Sequence, residues 1–251
     1  MLFLAEIAPN LWTAAQSRRF LGLEVGCRMI VVRLPNDDLV LISPLPLKSG
    51  DRARLEALGN VAHLIAPNRF HHLHFGPAQA LYPKAQAWGV EGLSQKRPDL
   101  RFDHTLDQPG HFENVLHYLP LKGFASITPR GIQNLNESVF WHQPSQTLIL
   151  TDIAFNFDET FPFTSRLAAQ VLGSYQTLRP TRLEKWGSFD KDAVEQSIRQ
   201  VLHWDFDRVI PGHGSIVESD AKAELQAGYE WLLGRSLDPH PTLAALYNTA
   251  R

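Results

Sequence analysis

The order of the apolar runs constrains this chain more than any single residue does. In the first third, Leu11 to Ala15, Arg28 to Leu34 and Leu39 to Ser43 are short, rich in apolar and β-branched residues and bounded by turn signals, with Pro35-Asn36-Asp37-Asp38 as a hairpin turn between the last two. A helix is expected over Ser49 to Leu58 with Gly59 as its C-cap, then a buried strand over Val61 to Ala66. Gly76 to Tyr82 reads as a helix, Ala85 to Gly89 as a strand, Glu91 to Lys96 as a short helix and Arg101 to Gly110 as a surface loop. Val115 to Leu119, Ser138 to His142 and Thr147 to Thr151 read as strands; Phe161 to Tyr175 and Asp190 to His203 have helical periodicity; Arg208 to Ile210 is a short strand. A last helix over Ser219 to Leu233 carries Ala223, Gln226, Ala227 and Trp231 near one face, and the tail from about Gly234 to Arg251 is expected on the surface. This order is not the alternation of a doubly wound sheet. It suits two packed sheets with helices outside.

Composition narrows the class further. A chain of 251 residues with 44% hydrophobic and 20% charged side chains can build one large core, so a single domain over 1–251 is expected. The formal net charge of -2 gives no field to hold a polyanion, so no nucleic-acid partner is expected. No run approaches the roughly 18 apolar residues of a membrane span. Met1 to Ala8 lacks the basic start and long apolar stretch of a signal peptide. The single cysteine, Cys27, forms no intramolecular disulfide, and the expected location is the cytoplasm.

Three places put metal-capable side chains just beyond a strand end. These are His71, His72 and His74 after Val61 to Ala66, Asp152 after Thr147 to Thr151, and His213 after Arg208 to Ile210. Imidazole and carboxylate suit zinc or iron, and a catalytic zinc site uses three protein ligands and one open position. Each has a plainer alternative. The histidines can cap a helix or bond to backbone, Asp152 can close an Asx-turn, and the flanking Gly212 and Gly214 of His213 can simply mark a tight turn. Arg166, Arg179, Arg182 and Lys185 beside Trp186 form a basic and aromatic group that suits an anionic ligand or, equally, a solvated helix face.

Asp152 in Leu-Ile-Leu-Thr-Asp and His213 in Val-Ile-Pro-Gly-His-Gly resemble the last two ligand segments of the metallo-β-lactamase-fold superfamily. The resemblance covers nearly the whole chain. Ile7-Ala8-Pro9-Asn10-Leu11-Trp12, the segment from Pro67-Asn68 to His74, Lys96-Arg97-Pro98-Asp99-Leu100 and Trp204-Asp205-Phe206-Asp207 are more similar to one divergent branch of it. It implies an αββα sandwich with a metal site at one edge of the two sheets, usually holding two zinc or iron ions and a bridging hydroxide. The usual members hydrolyse esters, amides or thioesters, and some are oxidoreductases.

The departures matter as much. The superfamily's first metal segment reads His-x-His-x-Asp-His, whereas this chain has Arg69-Phe70-His71-His72-Leu73-His74. One register puts His71 and His74 on ligand positions, with Arg69 and Leu73 replacing a histidine and the aspartate; a shift of two puts His71 and His72 on the Asp-His pair. The next family histidine is missing from Ile132-Gln133-Asn134-Leu135-Asn136-Glu137-Ser138, and neither His117 nor His142 occupies its place. One ion is therefore expected, held by His71 with His74 or His72, Asp152 and His213, with Asn68 or Arg69 touching a small-molecule substrate. The leading expectation is a metal-dependent hydrolase. Its rival is a metal-free, non-catalytic relic of the fold that binds a small anion or a protein partner.

Overall fold

The computed structural model describes residues 3–237. Strands β1 (Ala5–Ala8) and β2 (Leu11–Gln16) open the chain, and a small hairpin of β3 (Arg19–Phe20) and β4 (Leu23–Glu24) leads into β5 (Cys27–Arg33) and β6 (Asp38–Ile42). Next come helix α1 (Ser49–Glu56), β7 (Asn60–Ile65), α2 (Phe75–Leu81), β8 (Gln86–Gly89), α3 (Leu93–Lys96) and β9 (His104–Thr105). The second block runs β10 (Gly110–Phe112), β11 (Leu116–Pro120), a hairpin of β12 (Ala125–Thr128) and β13 (Gly131–Asn134), β14 (Ser138–His142) and β15 (Thr147–Ile149). Helices α4 (Phe163–Leu172), α5 (Arg182–Gly187) and α6 (Lys191–Leu202) precede β16 (Arg208–Ile210) and α7 (Ala221–Leu233).

The strands form a seven-stranded sheet in the order β1-β2-β5-β6-β7-β8-β9 and a five-stranded sheet in the order β10-β11-β14-β15-β16. β6, β7, β8 and β9 pair parallel, as β15 and β16 do, so β7, β15 and β16 all deliver their following loops at C-terminal strand ends. Period-two alternation divides the second sheet's residues between two cores. Phe140, Ile149 and Ile210 join the cluster of Ile30, Leu41 and Ile65 from the first sheet. Their neighbours Val139, Leu148 and Val209 pack with Val194 and Ile198 of α6 and Leu225 and Tyr229 of α7. Burying each such aliphatic side chain contributes about 1.5–3 kcal/mol, which is what holds helix, sheet, sheet and helix in register.

Four expectations are corrected. Gly59 is not a left-handed cap: the α1 C-cap is Ala57, and a Cβ at Gly59 would lie 2.2 Å from the Asp37 carbonyl oxygen, so close approach of the β5–β6 turn requires the glycine. The stretch from Arg101 to Gly110 is not all loop, because His104–Thr105 pairs with β8 and Gly110 begins β10. The inward residues of α7 are Ala221, Leu225, Gly228, Tyr229 and Leu232, not the face read from Ala223, Gln226, Ala227 and Trp231. The tail is not all surface from Gly234, since Leu237 is buried and its N–H donates to Glu230; the remainder, 238–251, lies outside the described residues. No helix among the described residues is long and apolar enough to cross a membrane.

Candidate metal centre

The loop after β7 is shaped by Asn68, which is fully buried. Its Oδ1 accepts the backbone N–H groups of Phe70 and His71 at 2.7 and 2.8 Å, a side-chain turn that reverses the chain and directs His71 inward. Its Nδ2 donates to Asp152 Oδ2 at 2.7 Å, to Glu137 Oε2 at 2.9 Å and to Thr151 Oγ1 at 2.9 Å. One amide thus ties the loop of the first sheet to the end of β15 in the second.

Across this joint the donor atoms of His71, Asp152 and His213 converge within 4.8 Å of one another. His71 Nε2 lies 3.1 Å from His213 Nε2 and 3.4 Å from Asp152 Oδ1, and His213 Nε2 lies 3.3 Å from the same oxygen. Both rings are anchored through their other nitrogen. His71 Nδ1 meets Ser43 Oγ at 2.8 Å, and His213 Nδ1 donates to the Gly26 carbonyl at 2.7 Å. Ser43 reaches its ring because its backbone turns left-handed at the end of β6, with φ of 55°. A carbonyl only accepts, so His213 Nδ1 carries a proton, and its Nε2 faces both His71 Nε2 and Asp152 Oδ1. One of the two rings supplies the proton for the His71–His213 contact, or a cation takes the position between them.

The electrostatics follow from burial and pairing. Burial alone would push the His71 pKa down, but the charge of Asp152 and the hydrogen bond to it outweigh burial and hold it raised. Burial would likewise raise Asp152, and the two histidines pull it well below the usual carboxylate range. Glu137 is raised, first by burial and then by the charge of Asp152, against the pull of its bonds from Asn68 and Thr151.

The other candidates stand elsewhere. His72 is turned to Arg97, whose Nη1 lies 2.8 Å from its Nδ1, and burial with Lys96 and Arg97 holds its pKa down to about 4. His74 is the N-cap residue of α2, outside the converging group, with its pKa lowered by burial and then by Arg18. Arg69 donates its backbone N–H to the Leu135 carbonyl, and its buried Nε has no hydrogen-bond partner. Of the basic and aromatic group, Arg179 and Lys185 lie over the Trp231 ring at 4.4 and 4.1 Å, and Arg166 lies 5.9 Å from the Phe163 ring on α4.

Sequence reasoning missed Glu137, which is fully buried and whose carboxylate accepts the Thr151 and Asp152 backbone N–H groups at 2.6 and 2.7 Å. An acid two residues before the apolar pair Val139-Phe140 was the available signal, since a charge there needs buried partners. Ser43 and the Gly26 carbonyl had no local signal.

The donor set fits a metal ion. The three edges of 3.1, 3.3 and 3.4 Å match the donor separation of about 3.3–3.4 Å required by a tetrahedral site with bonds of about 2.0–2.1 Å. Hydrogen-bonded outer nitrogens are the usual support of ligating imidazoles. His117 and His142 belong to no such group among the described residues.

A family model described as a domain of unknown function (DUF4336) matches residues 9–181. No curated protein matches the chain by sequence. Among solved structures, a metallo-β-lactamase from Pontibacter korlensis aligns with a TM-score of 0.61 at 13% identity, covering 93% of this chain and 99% of that one. VMB-1 at pH 5.5 aligns with a TM-score of 0.63 at 13% identity, covering 93% and 97%. The metallo-β-lactamase FIM-1 from Pseudomonas aeruginosa, in its mono-zinc form, aligns with a TM-score of 0.59 at 11% identity, covering 95% and 97%. At these identities the likeness is one of fold.

Proposed function

Because the chain belongs to the DUF4336 family and has the metallo-β-lactamase fold, we propose that it is a metal-dependent hydrolase-like protein working with one zinc or iron ion held by His71, Asp152 and His213. The observation that carries this reading is the triangle of donor atoms with both imidazoles anchored from behind. Two imidazoles and a carboxylate make a donor set used by both catalytic zinc and non-haem iron. When bound, such an ion supplies Lewis acidity and a nucleophile near neutral pH.

The chain's own residues do the positioning. Ser43 and the Gly26 carbonyl fix the two rings, and Asn68 holds Asp152 Oδ2 so that Oδ1 faces the histidines. Glu137 fixes the backbone that carries Asp152. Phe155 stacks on the His213 ring with centroids 6.1 Å apart and packs against that side of the centre. In either register the aspartate position of the resembled motif holds no acid, being Leu73, which is 50% exposed, or His71, so no carboxylate from that position orients a nucleophile. This favours an easily activated ester or thioester over an amide as substrate. His72 and His74 are assigned no ligand role.

The metal-free relic keeps one observation in its favour: a proton on His71 Nε2 satisfies the His71–His213 contact without any ion. Elemental analysis of untagged protein prepared without chelator, beside the His213→Ala variant, separates the two readings. About one equivalent of zinc or iron, lost in the variant, is the expected result and leads to assays on esters, thioesters and phosphoesters. No metal in either protein after reconstitution overturns it.

A further inference from the structure

Outside the histidine centre, a cleft of about 540 Å³ opens among the links that join β8 to α3, β9 to β10, β11 to β12, β13 to β14 and α5 to α6. That size suits a small molecule. Its walls are held in place by bonds between these links. The Lys122 N–H donates to Ser197 Oγ on α6 at 2.9 Å, and the Ala125 N–H donates to Ser188 Oγ at 3.0 Å. Asn136 Nδ2 donates to the Glu91 carbonyl at 2.9 Å. Two glycines of the lining mark how closely the α5–α6 corner presses on the second sheet: a Cβ at Gly123 would lie 2.7 Å from the Asp190 carbonyl oxygen, and one at Gly187 would lie 2.9 Å from that of Ala125. The cleft is therefore formed before any ligand arrives.

Its lining combines two features that constrain an occupant jointly. Leu106, Leu121 and Phe124 supply buried apolar wall, and Ile132 and Phe189, also of the lining, remain 47% and 75% exposed. The charged residues are Glu91, Asp107 and Asp190 against the single cation Lys122, and none of the four joins an ion pair among the described residues. Asp190 spends one oxygen on the Ala193 N–H at 2.9 Å, capping α6. The excess of carboxylates repels an anion and attracts a cation. A bare divalent ion is a poor fit, because apolar walls cannot replace its shell of oxygen ligands.

We infer that this cleft is a second ligand site, distinct from the His71–Asp152–His213 centre, that takes a small organic ammonium ion whose charge is met by the Glu91, Asp107 and Asp190 carboxylates and whose aromatic body lies against Phe124 and Phe189. The apolar wall supplies affinity for the body of the ligand, and the carboxylates choose its charge. The site stands whether or not the converging histidines hold an ion.

The test is calorimetric titration of the full chain at low salt and neutral pH with three probes of one shape: phenethylamine as the cation, phenethyl alcohol as its neutral counterpart and hydrocinnamate as the anion. Saturable binding of the amine with a dissociation constant of about a millimolar or below is expected, with the alcohol roughly tenfold weaker and the anion not bound. Replacing two exposed acids together, Glu91→Gln with Asp107→Asn, is expected to weaken the amine roughly tenfold and leave the alcohol unchanged, whereas Phe189→Ala weakens both. The unliganded melting temperature verifies that each variant keeps its fold. EDTA is expected to change nothing, since the amine is not held by a metal at the histidines. N-acetyl-lysine methylamide, which carries the same charge on a peptide unit without the aromatic body, is expected to bind more weakly than the free amine. Absence of saturable binding, equal affinity for amine and alcohol, indifference of the amine to the double substitution, loss in EDTA, or tighter binding of the lysine derivative overturns the inference.

Discussion

Glu137 and Asp152 are two carboxylates joined through backbone: the Glu137 side chain accepts the Asp152 N–H at 2.7 Å. The partners of Glu137 are otherwise donors too, with Thr151 N–H at 2.6 Å and Asn68 Nδ2 at 2.9 Å. Glu137→Gln places an NH₂ group among donors. The expected cost is about 3 kcal/mol of folding stability, measured by urea denaturation, because a buried donor then faces another with no acceptor between them. An unchanged unfolding midpoint would show that the carboxylate is not what fixes the end of β15.

The Ser43 hydroxyl orients His71 from behind. Ser43→Ala is expected to lower zinc affinity by about 10–100-fold and to cost the metal-free protein about 1 kcal/mol, from the His71 Nδ1 left without its partner. Competition against a chromophoric chelator measures the first, and denaturation in the presence of a strong chelator measures the second.

Gly212 packs where a side chain has no room. A Cβ there would lie 3.0 Å from Thr151 Cα and 3.1 Å from His71 Cε1. Gly212→Ala is therefore expected to displace the His71 ring, lowering metal occupancy by about tenfold or more and stability by about 1–3 kcal/mol. Elemental analysis and thermal unfolding report the two effects, and full occupancy in the variant would show that the loop yields more easily than its packing implies.

His142 is buried, and burial lowers its pKa to about 4. The folded pKa lies below the unfolded value of about 6.5, so between pH 6.5 and 4 the unfolded chain binds the extra proton and stability falls as the pH falls. The contribution is at most about 3 kcal/mol. His142→Gln is expected to flatten this part of the stability profile. Equal acid slopes in the two proteins would remove His142 from the explanation.

The two blocks of strands were legible because period-two alternation and turn residues are local properties of the sequence, as Phe140 beside Val139 and the Asp37 turn illustrate. The β12–β13 hairpin was not read, since Ile127 and Ile132 pair across a small exposed ribbon that lacks a strong apolar pattern. Helix α5 was missed although Thr181 and Glu184 form a capping box, a signal that spacing does carry. Three histidines within four positions, 71 to 74, were visible as candidates, but which one faces the joint depended on residues far away in sequence. Arg97 engages His72, while Ser43, Asp152 and His213 receive His71. Glu137 was passed over because its worth lies wholly in what it accepts from Thr151 and Asp152, which no local pattern announces.

His71 follows a strand of one sheet, whereas Asp152 and His213 follow strands of the other, and the two histidines are 142 positions apart along the chain. Arg28 adds a second fastening from the first sheet, donating to the Pro211 and Gly214 carbonyls on either side of His213. In a protein with one cysteine, this seam performs the task that a disulfide performs elsewhere. It joins two sheets whose contributing residues lie far apart along the chain, so it forms only where both halves of the sandwich are in place.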